Sequence, residues 1–223
     1  MQALTLAVLA AGLVLAAIGA GAERLASVWP ADEASHRGPG LRTALLAIGA
    51  GLAGGAVAWR STLPALALLV HLLILAILVV LTATDLEQRR LPHLLLDALI
   101  VVATLFVPFN PTVGWMDALI GGAVAVAFMG VLGLVVRGGV ALGDLYLVGP
   151  IGLVLGWPAI FVAVFMAGIL SAVVSALLLV TRRAGLKTYI PFGPFLVAGM
   201  VATLVRDEDL LGKAAAILSR ALG

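Results

Sequence analysis

The chain has 223 residues, of which 63% are hydrophobic and only 11% charged, with a mean hydropathy of +1.23. Soluble domains carry charge on about a quarter of their residues, so the composition excludes a soluble globular protein and reads as a polytopic, all-α integral membrane protein. A formal net charge of +2 is too small to suggest nucleic acid as a partner, and the lack of cysteine rules out disulfides, thiolate zinc sites and a cysteine nucleophile.

At about 20 apolar residues per span, this length allows about seven or eight helices and no sizeable soluble domain. A single transmembrane domain over 1–223 is expected. The first apolar run, Gln2 to Ala22, is long enough to cross a bilayer. It lacks the basic start of a secretory signal, and Glu23 and Arg24 follow it at once. That pattern favours a retained signal-anchor with its N-terminus outside. Residues 23–41 are polar, with Pro30, Asp32, Glu33, His36, Arg37 and Pro39, and read as a short cytoplasmic loop.

Further apolar runs follow at about 42–59, 64–84, 92–108, 116–136, 144–157, 158–181 and 188–205. Trp157-Pro158 is read as the break between the sixth and seventh of eight spans. The tail 207–223 carries Leu210, Leu211, Ala214, Ile217, Leu218 and Ala221 at helical spacing, which suits an amphipathic helix lying on the outer interface. The glycine pairs Gly51/Gly55 and Gly152/Gly156 are small-residue motifs for close helix packing.

Charge orients the chain. With eight spans and both termini outside, the cytoplasmic segments hold Arg24, Arg37, Arg42, Arg89, Arg90, Arg137, Arg182, Arg183 and Lys187. The outer segments hold Arg60, Arg206, Lys213 and Arg220, so the balance is nine against four. The positive-inside rule favours that orientation.

Two acids then stand out. Asp85 closes the third run, in Thr84-Asp-Leu-Glu-Gln-Arg-Arg-Leu-Pro92, and Asp144 opens the sixth, after the glycines Gly138, Gly139 and Gly143. They are 59 residues apart in sequence, yet the topology puts them at one membrane depth. Two carboxylates at the edge of a dry bundle can share a proton, because like charges close together do not both ionise readily. The ionised acid can activate water while the protonated one donates to a carbonyl oxygen. That is the minimum apparatus for aspartyl peptide hydrolysis, and it needs no metal or cofactor. The competing reading makes each acid a helix-end residue that faces headgroups or caps backbone N–H groups.

Other polar residues have plainer readings. His93 and Asp97 are four apart and can pair on one helix face. His71, in the middle of a span, is expected to hydrogen-bond to a neighbouring helix, and Asp117 to cap a helix start. Glu87 is expected to be solvated. Arg89-Arg90 reads as a topological anchor to anionic lipid, or as a contact for acidic substrate residues. His36, His71 and His93 are too far apart in sequence to suggest a metal site.

Three motifs, Asp85 with Pro92 seven residues on, Leu142-Gly143-Asp144, and Ile190-Pro-Phe-Gly-Pro-Phe-Leu196, together resemble the type IV prepilin peptidases, intramembrane aspartyl proteases of the Gly-x-Gly-Asp type. The resemblance covers roughly 64–205. It implies Asp85 and Asp144 as the catalytic pair, with Pro92, Gly143, Pro191, Gly193 and Pro194 shaping the site. It also implies an enzyme of the bacterial cytoplasmic membrane that cuts a short basic leader from pilin or pseudopilin precursors at the cytoplasmic face.

This chain departs from the family pattern in three places. Ala141 stands where the family's first motif glycine falls, which costs that turn some freedom. Tyr146 occupies a position often held by a lysine or arginine. The loop after the first span has no cysteine-bearing insert, so the resemblance implies peptidase activity without its N-methyltransferase partner. Two rival readings are a presenilin-like or signal-peptide-peptidase-like protease cutting within a transmembrane segment, and a proton- or cation-coupled transporter using the same two acids.

Overall fold

The computed structural model describes residues 2–29, 38–135, 141–182, 185 and 190–206. Eight α-helices and one short 3-10 turn make up this part: α1 Gln2–Ala26, α2 Leu41–Arg60, α3 Ala65–Gln88, α4 His93–Phe106 with a 3-10 turn at Val107–Phe109, α5 Trp115–Val135, α6 Leu142–Leu155, α7 Ala159–Val180 and α8 Gly193–Val205. Five of them (α1, α2, α3, α5 and α7) are long and apolar enough to cross a membrane. The other three are apolar but short, at 14, 14 and 13 residues. The chain is a polytopic helical membrane protein. The expected tail helix at 207–223 and the glycines Gly138 and Gly139 lie outside the described residues.

The helices pack in sequential pairs, α1 on α2, α5 on α6 and α7 on α8. Glycine sets how closely two of these pairs approach. A β-carbon on Gly121 of α5 would stand 2.6 Å from the Gly152 carbonyl oxygen of α6, and the reverse substitution meets the Gly121 oxygen at 2.6 Å. Gly51 of α2 would likewise press on Gly12 O of α1 at 3.0 Å. The pairs are joined through α3, which touches α1, α2, α4 and α8, and through α6, which touches α4, α5, α7 and α8. The largest fully buried side chains, among them Ile74, Leu78, Leu81, Leu99, Leu147, Ile151 and Leu196, lie along this α3–α4–α6–α8 seam.

Several connections differ from their sequence reading. α1 does not stop at Ala22 but runs through Glu23 and Arg24 to Ala26. Glu23 is buried there because the Thr43 hydroxyl, at the start of α2, donates to its Oε2 at 2.7 Å. The charge therefore lies inside the helix pair, and the expected loop is shorter. α3 runs one turn beyond its apolar stretch to Gln88, whose amide donates to the Trp29 carbonyl at 3.0 Å and ties the ends of α1 and α3 together. Glu87 is not merely solvated: Arg42 of α2 donates to its Oε2 at 2.7 Å. His71 bonds within its own helix, its Nδ1 lying 2.8 Å from the Ala67 carbonyl, and it meets Phe106 of α4 edge-on rather than through a hydrogen bond.

The break at Trp157-Pro158 does separate two helices, α6 and α7. The Trp157 N–H donates to the Asp117 carbonyl at 2.9 Å, fixing this corner to the start of α5.

Candidate active site

Asp85 occupies the last turn of α3. That helix ends because Arg89 adopts a left-handed conformation (φ 53°, ψ 38°), with its N–H bonded to the Asp85 carbonyl at 2.9 Å. A non-glycine residue pays a steric cost of roughly 1 kcal/mol or more in that conformation, so the turn is held by its surroundings. Pro92 then starts α4 without offering an N–H, and its carbonyl accepts from Leu95 and Leu96. The acid is thus fixed on a rigid helix immediately before a tight four-residue connection.

Asp144 is the third residue of α6. Its N–H bonds to the Ala141 carbonyl at 3.0 Å, and its Oδ2 accepts from the Ala141 N–H at 3.3 Å. The helix-end reading is therefore correct for one oxygen of this residue: Asp144 satisfies a backbone donor that the start of a helix otherwise leaves open. Ala141 sits at φ −79°, ψ 150°, ordinary extended backbone. The position that the sequence marked as short of a glycine accepts alanine without strain.

Both acids are buried, Asp85 at 5% and Asp144 at 2% exposure, and both line one cavity of about 520 Å³. The cavity is shared with the α3–α4 connection (Arg89 to Pro92), His93 and Tyr146. The Gly193 backbone N–H is the hydrogen-bond donor to the Asp85 carboxyl, and Oδ2 has no partner of good geometry among the described residues. A buried carboxylate oxygen so weakly bonded is costly, and the cavity beside it has room for water or a peptide.

The third motif closes over Asp85 from the other side. Gly193, the first residue of α8, is buried, and a β-carbon there would stand 2.6 Å from Asp85 Oδ2. Gly143 lies against the α3–α4 connection, where a β-carbon would be 2.8 Å from Leu91 Cδ1. Two motif glycines are thus packing requirements of the same site. Pro191 precedes α8 and Pro194 stands in its first turn, and neither lines the cavity between the acids. Arg89 and Arg90 are exposed at its mouth.

His93 and Asp97 form no pair among the described residues, and both are exposed. The His93 ring instead meets the Tyr146 ring edge-on, with centroids 5.7 Å apart. Asp117 sits in the first turn of α5, at the opposite end of the bundle. A polar cavity of about 460 Å³ lies there, bordered by Arg60, Asp117 and Arg206, and neither Asp85 nor Asp144 reaches it. No group of His, Asp or Glu residues able to hold a metal occurs among the described residues.

Fold and site together define a multi-pass helical membrane protein with two buried carboxylates at one cavity. Residues 72–176 match the type IV leader peptidase family. That stretch holds both Asp85 and Asp144, and its match agrees with the resemblance carried by the motifs; the Pro-Phe-Gly-Pro segment lies beyond it. A prepilin leader peptidase/N-methyltransferase of Bacillus subtilis is 26% identical over 144 residues, covering 61% of this chain and 55% of that protein. The corresponding protein of Aeromonas hydrophila is 31% identical over 146 residues, covering 63% and 50%. That of Stutzerimonas stutzeri is 30% identical over 173 residues, covering 75% and 60%. The chain thus spans about half to three-fifths of these curated relatives. No solved structure matches it.

Proposed function

We propose that this chain is an aspartyl endopeptidase that cuts the short leader from prepilin-like or pseudopilin-like precursors, with Asp85 and Asp144 as the reacting pair. The observation that supports it most is the meeting of these two acids, buried and from distant parts of the chain, at one cavity. The relatives named above are leader peptidases, and the stretch matching their family contains both acids.

In this reading one carboxylate takes a proton from a water held in the cavity, and that water attacks the scissile carbonyl. The other carboxyl, protonated, donates to the carbonyl oxygen. As the tetrahedral intermediate collapses, the first carboxyl passes the proton it took from water to the leaving amine and the second takes its proton back from the hydroxyl, so both return to their starting states. Asp144 is steadied by the Ala141 N–H, and Asp85 by the backbone of Gly193, while both carboxyls line the cavity that would hold water and substrate. The reaction uses no metal or cofactor. A peptide must be extended to be cut, and non-helical backbone at this depth is tolerated where a cavity covers it.

The same reading places the protein in the bacterial cytoplasmic membrane with the site towards the cytoplasm, on the nine-to-four distribution of basic residues. Arg89 and Arg90 at the cavity mouth then meet anionic headgroups or acidic substrate residues. N-methylation, part of the relatives' names, is left out of the proposal because the α1–α2 connection carries no cysteine. The test is cleavage of a precursor by the reconstituted protein. Asp85→Asn and Asp144→Asn are each expected to accumulate normally and to leave the leader attached, and cleavage by either variant overturns the reading.

A further inference from the structure

The end of the bundle away from the two acids brings the ends of α2, α6 and α8 and the starts of α5 and α7 around the polar cavity of about 460 Å³. All three helix pairs add to its wall. Arg60 and Ser61 come from the end of α2, Asp117 from the start of α5, and Arg206 from the end of α8. Two arginines against one acid leave the wall with one positive charge in excess.

That charge is not cancelled at Arg206. The residue is half-buried, and it makes no ion pair or hydrogen bond among the described residues. Asp117 keeps its carboxylate at the start of its own helix. Its Oδ2 lies 3.4 Å from the place of a β-carbon on Gly114, where the positive end of α5 favours an acid. The hydroxyls divide by what they do with their hydrogens. Those of Thr112 and Thr203 donate to Asn110 Oδ1 at 2.9 Å and to the Gly199 carbonyl at 2.8 Å. Ser61 Oγ instead accepts from the Leu63 N–H at 3.2 Å, which leaves its own O–H to donate. A guanidinium without a partner and a hydroxyl with a hydrogen to give both call for an acceptor.

We propose that this cavity binds a phosphate group, held by the Arg206 and Arg60 guanidiniums and the Ser61 hydroxyl. A half-buried guanidinium has lost part of its hydration, and phosphate oxygens restore those bonds with the opposite charge. The cavity lies at helix ends, and Trp157, which lines it, is half-exposed. Tryptophan at such a place marks the headgroup level of a bilayer. Phosphate is the anion found at that level, as the phosphodiester of a lipid or as free phosphate from the medium. A singly charged phosphodiester matches the excess charge of the wall, and its bonds to Arg60 and Arg206 tie the α1–α2 pair to the α7–α8 pair. The site is independent of the peptidase reading of Asp85 and Asp144.

The test uses the full chain, purified in dodecyl maltoside and stripped of lipid. It is titrated with phosphatidylglycerol, with diacylglycerol of the same chains, and with inorganic phosphate. Native mass spectrometry counts what binds, and thermal unfolding reads what binding stabilises. The wild type should hold one phosphatidylglycerol that Arg206→Gln binds about tenfold or more weakly, the loss of one hydrogen bond to a charged group. Arg206→Lys keeps the charge without the fork and should fall between them. Asp117→Asn removes the opposing charge and should bind more tightly, a change of the opposite sign that general unfolding does not produce. The Tm should rise with phosphatidylglycerol concentration and not with diacylglycerol. Inorganic phosphate that displaces the lipid identifies the free anion as a sufficient ligand, and inorganic phosphate without effect assigns the site to the lipid headgroup.

Equal binding by the wild type and Arg206→Gln, equal stabilisation by diacylglycerol, or weaker binding by Asp117→Asn each overturn the proposal. So does binding that appears only after Asp207, Glu208 and Asp209, the acids that follow Arg206 in sequence, are changed to amides, because the chain's own carboxylates would then be the ligand.

Discussion

Gly193 lies against Asp85 so closely that a β-carbon on the glycine would stand 2.6 Å from the Asp85 Oδ2 atom. α8 packs on α3, and at this point the carboxylate and the glycine leave each other no spare room. Gly193→Ala must therefore displace the Asp85 carboxyl group or lift α8. Misplacing a reacting group by about 1 Å costs on the order of 100-fold in rate. Leader cleavage by Gly193→Ala, measured with equal amounts of membrane-embedded protein, should fall by that order; wild-type turnover would show that the contact does not position Asp85.

Gly143 gives a milder case of the same kind. Its added β-carbon would meet Leu91 Cδ1 at 2.8 Å, the tip of a side chain that can turn aside. Gly143→Ala should lose only about tenfold in cleavage, in keeping with modest overpacking. Leu91→Val should restore much of the loss in the double variant. Separately, Leu91→Val should be close to wild type, and the comparison is a double-mutant cycle on cleavage rate.

Asp85 and Asp144 are expected to act as one unit. Residues that act together are non-additive, with a single loss costing about as much as a joint loss. Asp85→Asn, Asp144→Asn and the double variant should all show the same residual cleavage. A double variant much slower than either single one would mean that the two acids work independently.

Asp97 is exposed, does not border the acid-lined cavity and makes no pair with His93. Asp97→Asn should keep cleavage within about twofold of wild type, as is usual for surface changes away from a site. Loss of turnover would bring Asp97 into the reaction.

Orientation is open to a labelling experiment that the cysteine-free sequence makes simple. Arg90→Cys and Thr112→Cys both fall at exposed positions, at opposite ends of the bundle. An impermeant maleimide added to intact cells should label Thr112→Cys and spare Arg90→Cys until the membrane is opened. The reverse pattern would turn the protein over.

Much of the architecture was legible because hydropathy and charge report on the bilayer directly: each apolar run corresponds to a helix, and Trp157-Pro158 divides two of them. Asp85 and Asp144 could be put at one end of the bundle from the parity of helices alone. What escaped was packing between distant segments. No spacing rule links Gly193 to Asp85, 108 residues earlier, and Glu23 looks like loop until Thr43 is seen to donate to it. Glu87 reads as solvated because its partner Arg42 lies on another helix. The role of Asp144 as a partial cap was weighed as the alternative to a reacting acid, whereas the structure gives one oxygen to the cap and leaves the side chain facing the cavity.

The three helices around the acids, α4, α6 and α8, have 14, 14 and 13 residues. At 1.5 Å per residue they are about 20 Å long, against a hydrocarbon core of about 30 Å. Lipids beside them must thin, or headgroups and water must dip inward to meet their ends, because a short apolar helix is accommodated by deforming the bilayer around it. The membrane is then part of the fit: a thicker bilayer strains the very elements that carry Asp144 and Gly193, and a thinner one relaxes them. Bilayer thickness becomes a setting that acts on this site from outside the polypeptide.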